Sequence, residues 1–200
     1  MAVTPSPRME ARRAVLVDKD GTLVADVPYN VDPARITLLP GVGRGLASLA
    51  AAGFSIVVVS NQPGVAEERF AGADLLPVER RIDALLALRG VHIAGYFWCT
   101  HARDEGCRCR KPQPGLLYTA AQRLRLDLSA SWMVGDILDD IEAGNRAGCR
   151  SILVNRGGET EWLGGSRRLP YAVVRSFDQA AAIIRHERTQ QRTWQFGGGG

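Results

Sequence analysis

The stretch Ala14-Val-Leu-Val-Asp18-Lys-Asp20-Gly21-Thr22-Leu23 decides the fold of this chain. A short apolar run that is rich in valine and stopped by glycine is typical of a strand buried inside a parallel sheet. The two aspartates would then lie at the carboxyl end of that strand, where open α/β sheets bind their ligands. Two carboxylates so close together favour a site that also holds a cation.

Length and composition predict a single domain in the cytoplasm. The chain has 200 residues, of which 46% are hydrophobic, and this is enough for a full core. It has no stretch of about 18 apolar residues, and residues 1–13 are too polar for a signal peptide. The net charge of +4 comes without a basic run long enough for a nucleic-acid arm. We therefore expect no membrane or nucleic-acid partner, and a monomer.

Strand patterns alternate with helix patterns along the chain. Strands are predicted near residues 14–17, 54–59, 95–99, 132–136, 151–154 and 172–174, and helices near 41–52, 74–88, 114–126, 139–147 and 177–187. This alternation predicts right-handed βαβ units in an α/β fold, with a parallel sheet flanked by helices. We expect a flexible leader over residues 1–12, one domain over 13–187 and a disordered tail over 188–200.

Polar residues stand at the carboxyl ends of several predicted strands. They are Asp18 and Asp20, Ser60 and Asn61, Lys111, and Asp136. The carboxyl ends of parallel strands meet at one edge of a sheet, so we expect these side chains to converge. Each one alone is explained by a helix cap, a turn or a solvated charge, but the ordered set is not.

Together these residues suit the transfer of a phosphoryl group. Asp18 and Asp136 would repel each other unless a cation joined them, and hard oxygen ligands suit Mg²⁺. The hydroxyl, amide and ammonium groups of the middle two sites would stabilise the charge on the phosphoryl oxygens. Asp18 would act as the nucleophile and form an aspartyl-phosphate. Asp20 would protonate the leaving alkoxide and then deprotonate the attacking water.

Four short motifs resemble those of the haloacid dehalogenase (HAD) superfamily phosphatases. They read Asp18-Lys-Asp20-Gly-Thr-Leu, Ser60-Asn, Lys111-Pro and Gly135-Asp136-x-x-Asp139-Asp140. The resemblance implies a Rossmann-like core and Mg²⁺-dependent hydrolysis of phosphoric monoesters. It also implies that the metal is held by Asp18, by the backbone carbonyl of Asp20 and by Asp136.

The spacing of the motifs leaves no room for a large cap domain. Roughly 40 residues separate Asp20 from Ser60, and roughly 50 separate Ser60 from Lys111. A helix and a strand use most of each interval. We therefore expect an open site, in which loops select the substrate.

A cluster of cysteine and histidine residues directly precedes Arg110 and Lys111. Its members, all within one zinc-binding loop over residues 99–109, are Cys99, His101, Cys107 and Cys109. Four ligands of these types fit a closed tetrahedral Zn²⁺ site with a structural role, and in a cytosolic chain they favour a metal over a disulfide. Zinc would supply the ordering energy of this short polar loop. It would thereby fix the backbone that presents two cations to the active site.

The zinc loop resembles that of one branch of the superfamily, the D-glycero-D-manno-heptose-1,7-bisphosphate 7-phosphatases, with the histidinol-phosphate phosphatases as near relatives. Other matching pieces are Asp26-Val-Pro-Tyr29, Pro40-Gly41 and Ser60-Asn-Gln-Pro-Gly-Val65. The resemblance covers roughly residues 14–160. It implies that the substrate is surrounded by Asp26, Tyr29, Gln62, Pro63, Arg110 and Lys111.

The residues themselves also favour a bisphosphate substrate. One phosphate needs Lys111 and Mg²⁺, and a second would need a separate cation. Arg110 is adjacent and suits bidentate contact with phosphate, whereas the cationic amine of histidinol phosphate gains less from another arginine. The resemblance thus implies hydrolysis of the 7-phosphate of the heptose bisphosphate, in nucleotide-activated heptose synthesis. A histidinol-phosphate or other sugar-phosphate phosphatase is the first alternative, and an inactive HAD binding scaffold is the second.

One segment departs from the pattern of that branch. The heptose enzymes commonly continue the second motif as Gly-(Ile/Val)-Ala-Arg-Gly, whereas this chain reads Gly64-Val-Ala-Glu67-Glu68-Arg69. The arginine is displaced and two acids intrude. The resemblance therefore assigns this segment no contact with the sugar or with a second phosphate.

Overall fold

The structure, a computed structural model, describes residues 11–160 and 162–196, with side chains as far as residue 190. Residues 1–10 of the predicted leader and residues 197–200 of the predicted tail lie outside the described residues. Six strands and five α-helices lie within the described part and alternate apart from the last two strands, which follow each other without an α-helix between them. All the predicted elements are present, and all except the last helix end within a few residues of their expected ends.

The strands are β1 Ala14–Val17, β2 Ser55–Asn61, β3 Ile93–Cys99, β4 Trp132–Gly135, β5 Arg150–Val154 and β6 Ala172–Val174. The helices are α1 Val42–Ala51, α2 Leu75–Ala87, α3 Gly115–Leu124, α4 Leu138–Arg146 and α5 Phe177–Phe196.

The strands form one parallel sheet in the order β3-β2-β1-β4-β5-β6. The chain builds outward from β1 to β3, returns to the other side of β1 and continues from β4 to β6. The strand order therefore reverses between β1 and β4, and such a switch point opens a crevice for ligands at the carboxyl ends of the strands. The predicted Rossmann-like α/β fold is confirmed.

Every residue of β1 is buried, because helices cover both faces of the sheet. Val15 and Val17 belong to the core beneath α1, α2 and α5. Ala14 and Leu16 belong to the core beneath α3, with a contribution from α4. This double burial explains why β1 reads as a continuous apolar run rather than as an alternating pattern.

The last helix extends beyond its predicted end. The sequence pattern predicts an end at Glu187 followed by a disordered tail, but α5 continues to Phe196. From Phe177 to Phe196 the chain contains neither glycine nor proline. Nothing in the local sequence therefore breaks the helix before Gly197.

The connection between β1 and β2 consists of a loop, a single 3₁₀ turn over Pro33–Arg35, and α1. No cap domain is inserted there, as the motif spacing predicts. Within residues 11–160 and 162–196, no helix combines the length and apolarity needed to cross a membrane.

Candidate active site

The carboxyl ends of β1 and β4 bring the predicted acids together. Asp18 follows β1, Asp136 follows β4, and the backbone N–H of Asp18 donates to the carbonyl of Val134 at 3.0 Å. Carboxylate oxygens of Asp18, Asp136 and Asp140 all lie within 4.8 Å of one another, and all three residues are buried. Parallel pairing of the two strands thus creates a compact cluster of negative charge at the switch point.

Lys111 supplies the positive charge of this cluster. Its ammonium group contacts the carboxylate of Asp18, lies 2.6 Å from Asp140 Oδ1 and donates to the carbonyl of Val59 at 3.0 Å. Burial by itself lowers the pKa of this amine, but the two carboxylates outweigh burial and raise the pKa above its ordinary value. Lys111 therefore remains a fixed ammonium group beside Asp18.

Asp140 has no predicted role, although it belongs to the fourth motif. It lies in the first turn of α4 and is completely buried. Its Oδ2 accepts from the backbone N–H of Ile137 at 3.4 Å, while its Oδ1 faces Lys111. An acid four residues after Asp136, at the start of a helix, was the available signal, but that position is equally typical of an exposed capping residue.

The acidic cluster fits a divalent cation. Three carboxylates surround one ammonium group, and burial, followed by the charges of Asp18 and Asp140, raises the pKa of Asp136 to about 8. The hydroxyl of Thr22 donates to Asp136 Oδ1 at 2.9 Å. Gly21 adopts a φ of +77°, and a Cβ atom there would collide with the Asp136 carboxylate. This hard-oxygen cluster, with its surplus negative charge, is suited to Mg²⁺.

Asp20 is held by two neighbours. The ammonium nitrogen of Lys19 lies 2.9 Å from Oδ1, and Gln62 Nε2 donates to Oδ2 at 2.9 Å. Burial raises the pKa of Asp20, and this effect is opposed by Lys19. Gln62 also donates to Ser60 Oγ at 3.1 Å, so this predicted substrate contact ties the end of β2 to Asp20.

Lys19 is a buried cation that the sequence reasoning left without a role. It is 1% exposed and pairs with Asp20. Only two of the 25 basic residues in the chain are lysines, Lys19 and Lys111, and both lie at this edge of the sheet. The retention of lysine in an arginine-rich chain was therefore a usable signal.

Asn61, which is predicted to donate a hydrogen bond to the phosphoryl group, forms two hydrogen bonds with the backbone of Lys111. Its Nδ2 donates to the Lys111 carbonyl at 3.1 Å, and the Lys111 N–H donates to its Oδ1 at 3.0 Å. This reciprocal pair fixes the peptide that carries the ammonium group. The amide of Asn61 thus acts on the position of Lys111.

The two loops that the resemblance places around the substrate are joined at Tyr29. Its hydroxyl donates to Glu67 Oε2 at 2.7 Å, and the guanidinium of Arg69 lies 5.4 Å from its ring centroid. Asp26 is exposed on the same loop, and Pro63 is half-buried on the other. Two residues of the segment that departs from the family pattern, Glu67 and Arg69, therefore contact Tyr29.

The predicted zinc ligands converge at the end of β3. The sulfurs of Cys99, Cys107 and Cys109 lie 3.4–3.6 Å apart, and His101 Nδ1 lies 3.2 Å from Cys109 Sγ. Sulfur atoms bonded to one tetrahedral zinc at about 2.3 Å would lie about 3.8 Å apart. Burial raises the pKa of the Cys99 thiol to about 12, so a bound cation is needed to maintain the thiolate. The four ligands fit one zinc ion.

A cationic cavity borders Lys111 on the side of the zinc loop. Its volume is about 310 Å³, and its lining includes Arg103, Arg110 and Arg168. Arg168 pairs with Asp139 at 2.9 Å. Nη1 of Arg110 is buried and has no hydrogen-bond partner within the described residues. The arginine-rich lining of the cavity suits an anion.

Comparison with known proteins identifies the family. The HAD-hydrolase-like family model matches residues 108–180. The D-glycero-beta-D-manno-heptose-1,7-bisphosphate 7-phosphatase of Pseudomonas putida is 34% identical over 181 residues, which is 86% of this chain and 98% of that protein. The chain belongs to this heptose-bisphosphate phosphatase family. The Escherichia coli K12 protein of the same name is 34% identical over 153 residues, or 73% of this chain and 80% of that protein.

A solved structure from the heptose-bisphosphate phosphatase family has the same fold. It is the D,D-heptose 1,7-bisphosphate phosphatase of B. bronchiseptica, complexed with magnesium and phosphate. It is 33% identical, with a TM-score of 0.78, covering 88% of this chain and 99% of that one. The prediction of a HAD-type phosphatase is confirmed, and the chain is a hydrolase of phosphate esters.

Proposed function

We propose that this phosphatase hydrolyses the 7-phosphate of D-glycero-D-manno-heptose 1,7-bisphosphate. The observation that carries the proposal is the Asp18–Lys111 contact at the switch point, in a chain that aligns with nearly the whole length of relatives bearing that name. A buried carboxylate beside a fixed ammonium group is placed to meet an anionic phosphoryl group.

Asp18 and Asp20 divide the covalent and proton-transfer work. An oxygen of Asp18 bonds to phosphorus while the bond from phosphorus to the sugar oxygen breaks, and the leaving oxygen takes a proton from Asp20. The carboxylate of Asp20 then removes a proton from water, which attacks the aspartyl-phosphate. Inorganic phosphate leaves, and both carboxyl groups return to their starting states. The raised pKa of Asp20 suits the first proton transfer.

Lys111 and Ser60 hold the phosphoryl oxygens, while Asn61 keeps the Lys111 peptide in place. Mg²⁺, held by Asp18, the Asp20 carbonyl and Asp136, supplies charge neutralisation and alignment of the phosphoryl group. With the metal bound, the pairing of Lys111 with Asp140 balances the remaining charge.

The second phosphate of the substrate binds at the cavity beside the zinc loop. Arg110 lines this cavity and has one guanidinium nitrogen without a hydrogen-bond partner among the described residues, and Arg103 adds positive charge. Asp26, Tyr29, Gln62 and Pro63 contact the sugar. Structural zinc on the four ligands of the loop holds the backbone of Arg110. The protein acts as a monomer in the cytoplasm.

A phosphate-release panel tests the substrate. The full chain, loaded with Mg²⁺ and Zn²⁺, is assayed with both anomers of the heptose bisphosphate, with heptose 7-phosphate and with histidinol phosphate. We expect the highest kcat/KM for one bisphosphate anomer, and a loss of about tenfold or more when the second phosphate is missing. A preference for histidinol phosphate would overturn the proposal.

Two controls accompany the panel. Asp18→Asn should abolish turnover, and full activity in that variant would refute the role of Asp18 as nucleophile. Metal analysis of purified protein should find about one zinc per chain. Less than about half an equivalent in metal-replete protein would count against the structural site.

A further inference from the structure

A second cationic cavity lies at the carboxyl ends of β5 and β6, outside the catalytic cluster. Its volume is about 710 Å³, within the range of small-molecule sites. Arg156 follows β5 and Arg175 follows β6, so the parallel pairing of these strands brings both arginines to the ligand-binding edge of the sheet. Arg44, from the first turn of α1, completes the basic lining.

The arginines of this cavity exceed its acids. Asp178 is the one carboxylate in the lining, and it pairs with Arg44 at 2.6 Å. Arg156 donates to the carbonyl of Pro40 at 2.9 Å. Among residues 11–160 and 162–190, whose side chains the structure describes, none forms a hydrogen bond or ion pair with the guanidinium of Arg175. The lining therefore keeps positive charge that its own carboxylate does not neutralise.

The N-terminus of α1, which carries partial positive charge, also lies at this cavity but is not the source of the surplus charge. A Cβ atom on Gly41 would come within 2.5 Å of Asp178 Oδ2, so the carboxylate of Asp178 already packs against the helix end. That helix end thus has an anionic partner from α5. The unmatched charge belongs to the arginines.

We propose that this cavity binds the phosphate group of a small molecule, separately from the group that is hydrolysed. Guanidinium groups form paired hydrogen bonds with phosphate oxygens, and Arg156 and Arg175 approach from adjacent strands. The turn after β5 joins the two sites, because Gly157 lines the cavity while Gly158 packs against the Asp136 carboxylate. The inference does not depend on which sugar phosphate is hydrolysed.

Titration with inorganic phosphate tests the proposal. The full chain, labelled with ¹⁵N, is titrated at constant ionic strength, and backbone amides are followed by NMR. The amides of Gly41 and Gly157 report on the cavity, and that of Gly21 reports on the catalytic edge. We expect saturable shifts at both places with different midpoints. Arg175→Gln should raise the cavity midpoint about tenfold, while the Gly21 midpoint and kcat/KM stay unchanged.

A matched variant separates a built site from general attraction to a basic protein. Arg185→Gln removes the same charge from an exposed position of α5 outside the cavity, and it should leave the cavity midpoint unchanged. Shifts that never saturate, or an equal loss of affinity in Arg185→Gln, would overturn the site. A single midpoint at all three amides would show that no separate phosphate binds. The Gly21 amide and the substrate panel report on the catalytic proposal independently.

Discussion

The ammonium nitrogen of Lys111 lies 2.6 Å from the carboxylate of Asp140 and also contacts that of Asp18. Asp140 lies on α4, which follows β4, whereas Lys111 lies in the loop that follows β3. The pair therefore ties the ammonium group of Lys111 to the helix that follows Asp136. We infer from this contact that Asp140 positions the ammonium group of Lys111.

Replacing Asp140 should lower the catalytic rate without changing the nucleophile. In Asp140→Asn the ammonium group loses one of its two carboxylate partners and moves toward Asp18, so we expect kcat to fall by about 10². Steady-state kinetics with the best substrate measure the effect. Asp139→Asn, which removes the same charge from the next residue, should keep kcat near the wild-type value. Equal losses in both variants would argue against positioning by Asp140.

Replacing Gly21 should damage the cation site by collision. Gly21→Ala places a Cβ atom against the Asp136 carboxylate at a φ of +77°, so we expect weaker Mg²⁺ activation and a loss of kcat/KM of about 10². Gly90→Ala is the matched control, because Gly90 has a φ of +66° and no atom within 4 Å of an added Cβ. It should lose only about 1 kcal/mol of stability. Normal Mg²⁺ activation in Gly21→Ala would contradict the expected collision.

Asp136 links stability to pH. Burial and the neighbouring carboxylates raise its pKa from the ordinary value of 3.8 to about 8 in the folded chain. The folded state thus holds this proton more tightly, so the contribution to stability is complete below the unfolded pKa and is lost as the pH rises through about 8. Thermal unfolding without divalent cations should therefore show a Tm that falls between roughly pH 4 and pH 8.

Added Mg²⁺ should raise the Tm more at the alkaline end of that range, because the metal no longer competes with a proton on Asp136. Asp136→Asn should flatten both the pH dependence and the response to the metal. An Mg²⁺-induced increase in Tm that is the same at the acidic and at the alkaline end of the range would show that Asp136 does not control binding of the ion.

The link between Tyr29 and Glu67 should affect binding more than chemistry. Tyr29→Phe removes the 2.7 Å hydrogen bond between the two loops, so we expect KM to rise about threefold with little change in kcat, as for the loss of one exposed hydrogen bond. Glu67→Gln keeps an acceptor and should have a smaller effect. In Glu68→Gln the same charge is lost one residue away, and KM should stay unchanged. An equal change there would assign the effect to net charge.

The sequence was most informative where one local rule controls the structure. The valine-rich run before Asp18 specifies a strand buried on both faces. The spacing of Cys99, His101, Cys107 and Cys109 predicts four possible zinc ligands in one loop, and the fold brings them together. The predicted end of α5 at Glu187 was wrong, because α5 continues to Phe196 and neither glycine nor proline breaks it before Gly197.

Contacts between residues that are distant along the chain could not be predicted from the sequence. In the sequence, Asp140 resembles an ordinary residue of a first helical turn, and Asn61 resembles a residue that donates a hydrogen bond to phosphate. Only the folded chain turns both toward Lys111. The hydrogen bond between Tyr29 and Glu67 likewise depends on how the fold places two loops next to each other. None of these pairs has a fixed spacing that a sequence pattern could reveal.

The sequence by itself determined the strand, the acids at its end and the kinds of ligand in each site, because these follow from side-chain chemistry and local periodicity. The tertiary structure decided the partner of each charge. A buried carboxylate or ammonium group cannot form hydrogen bonds with bulk water. Its partner must therefore be a residue that the sheet brings close to it, whatever their distance along the chain.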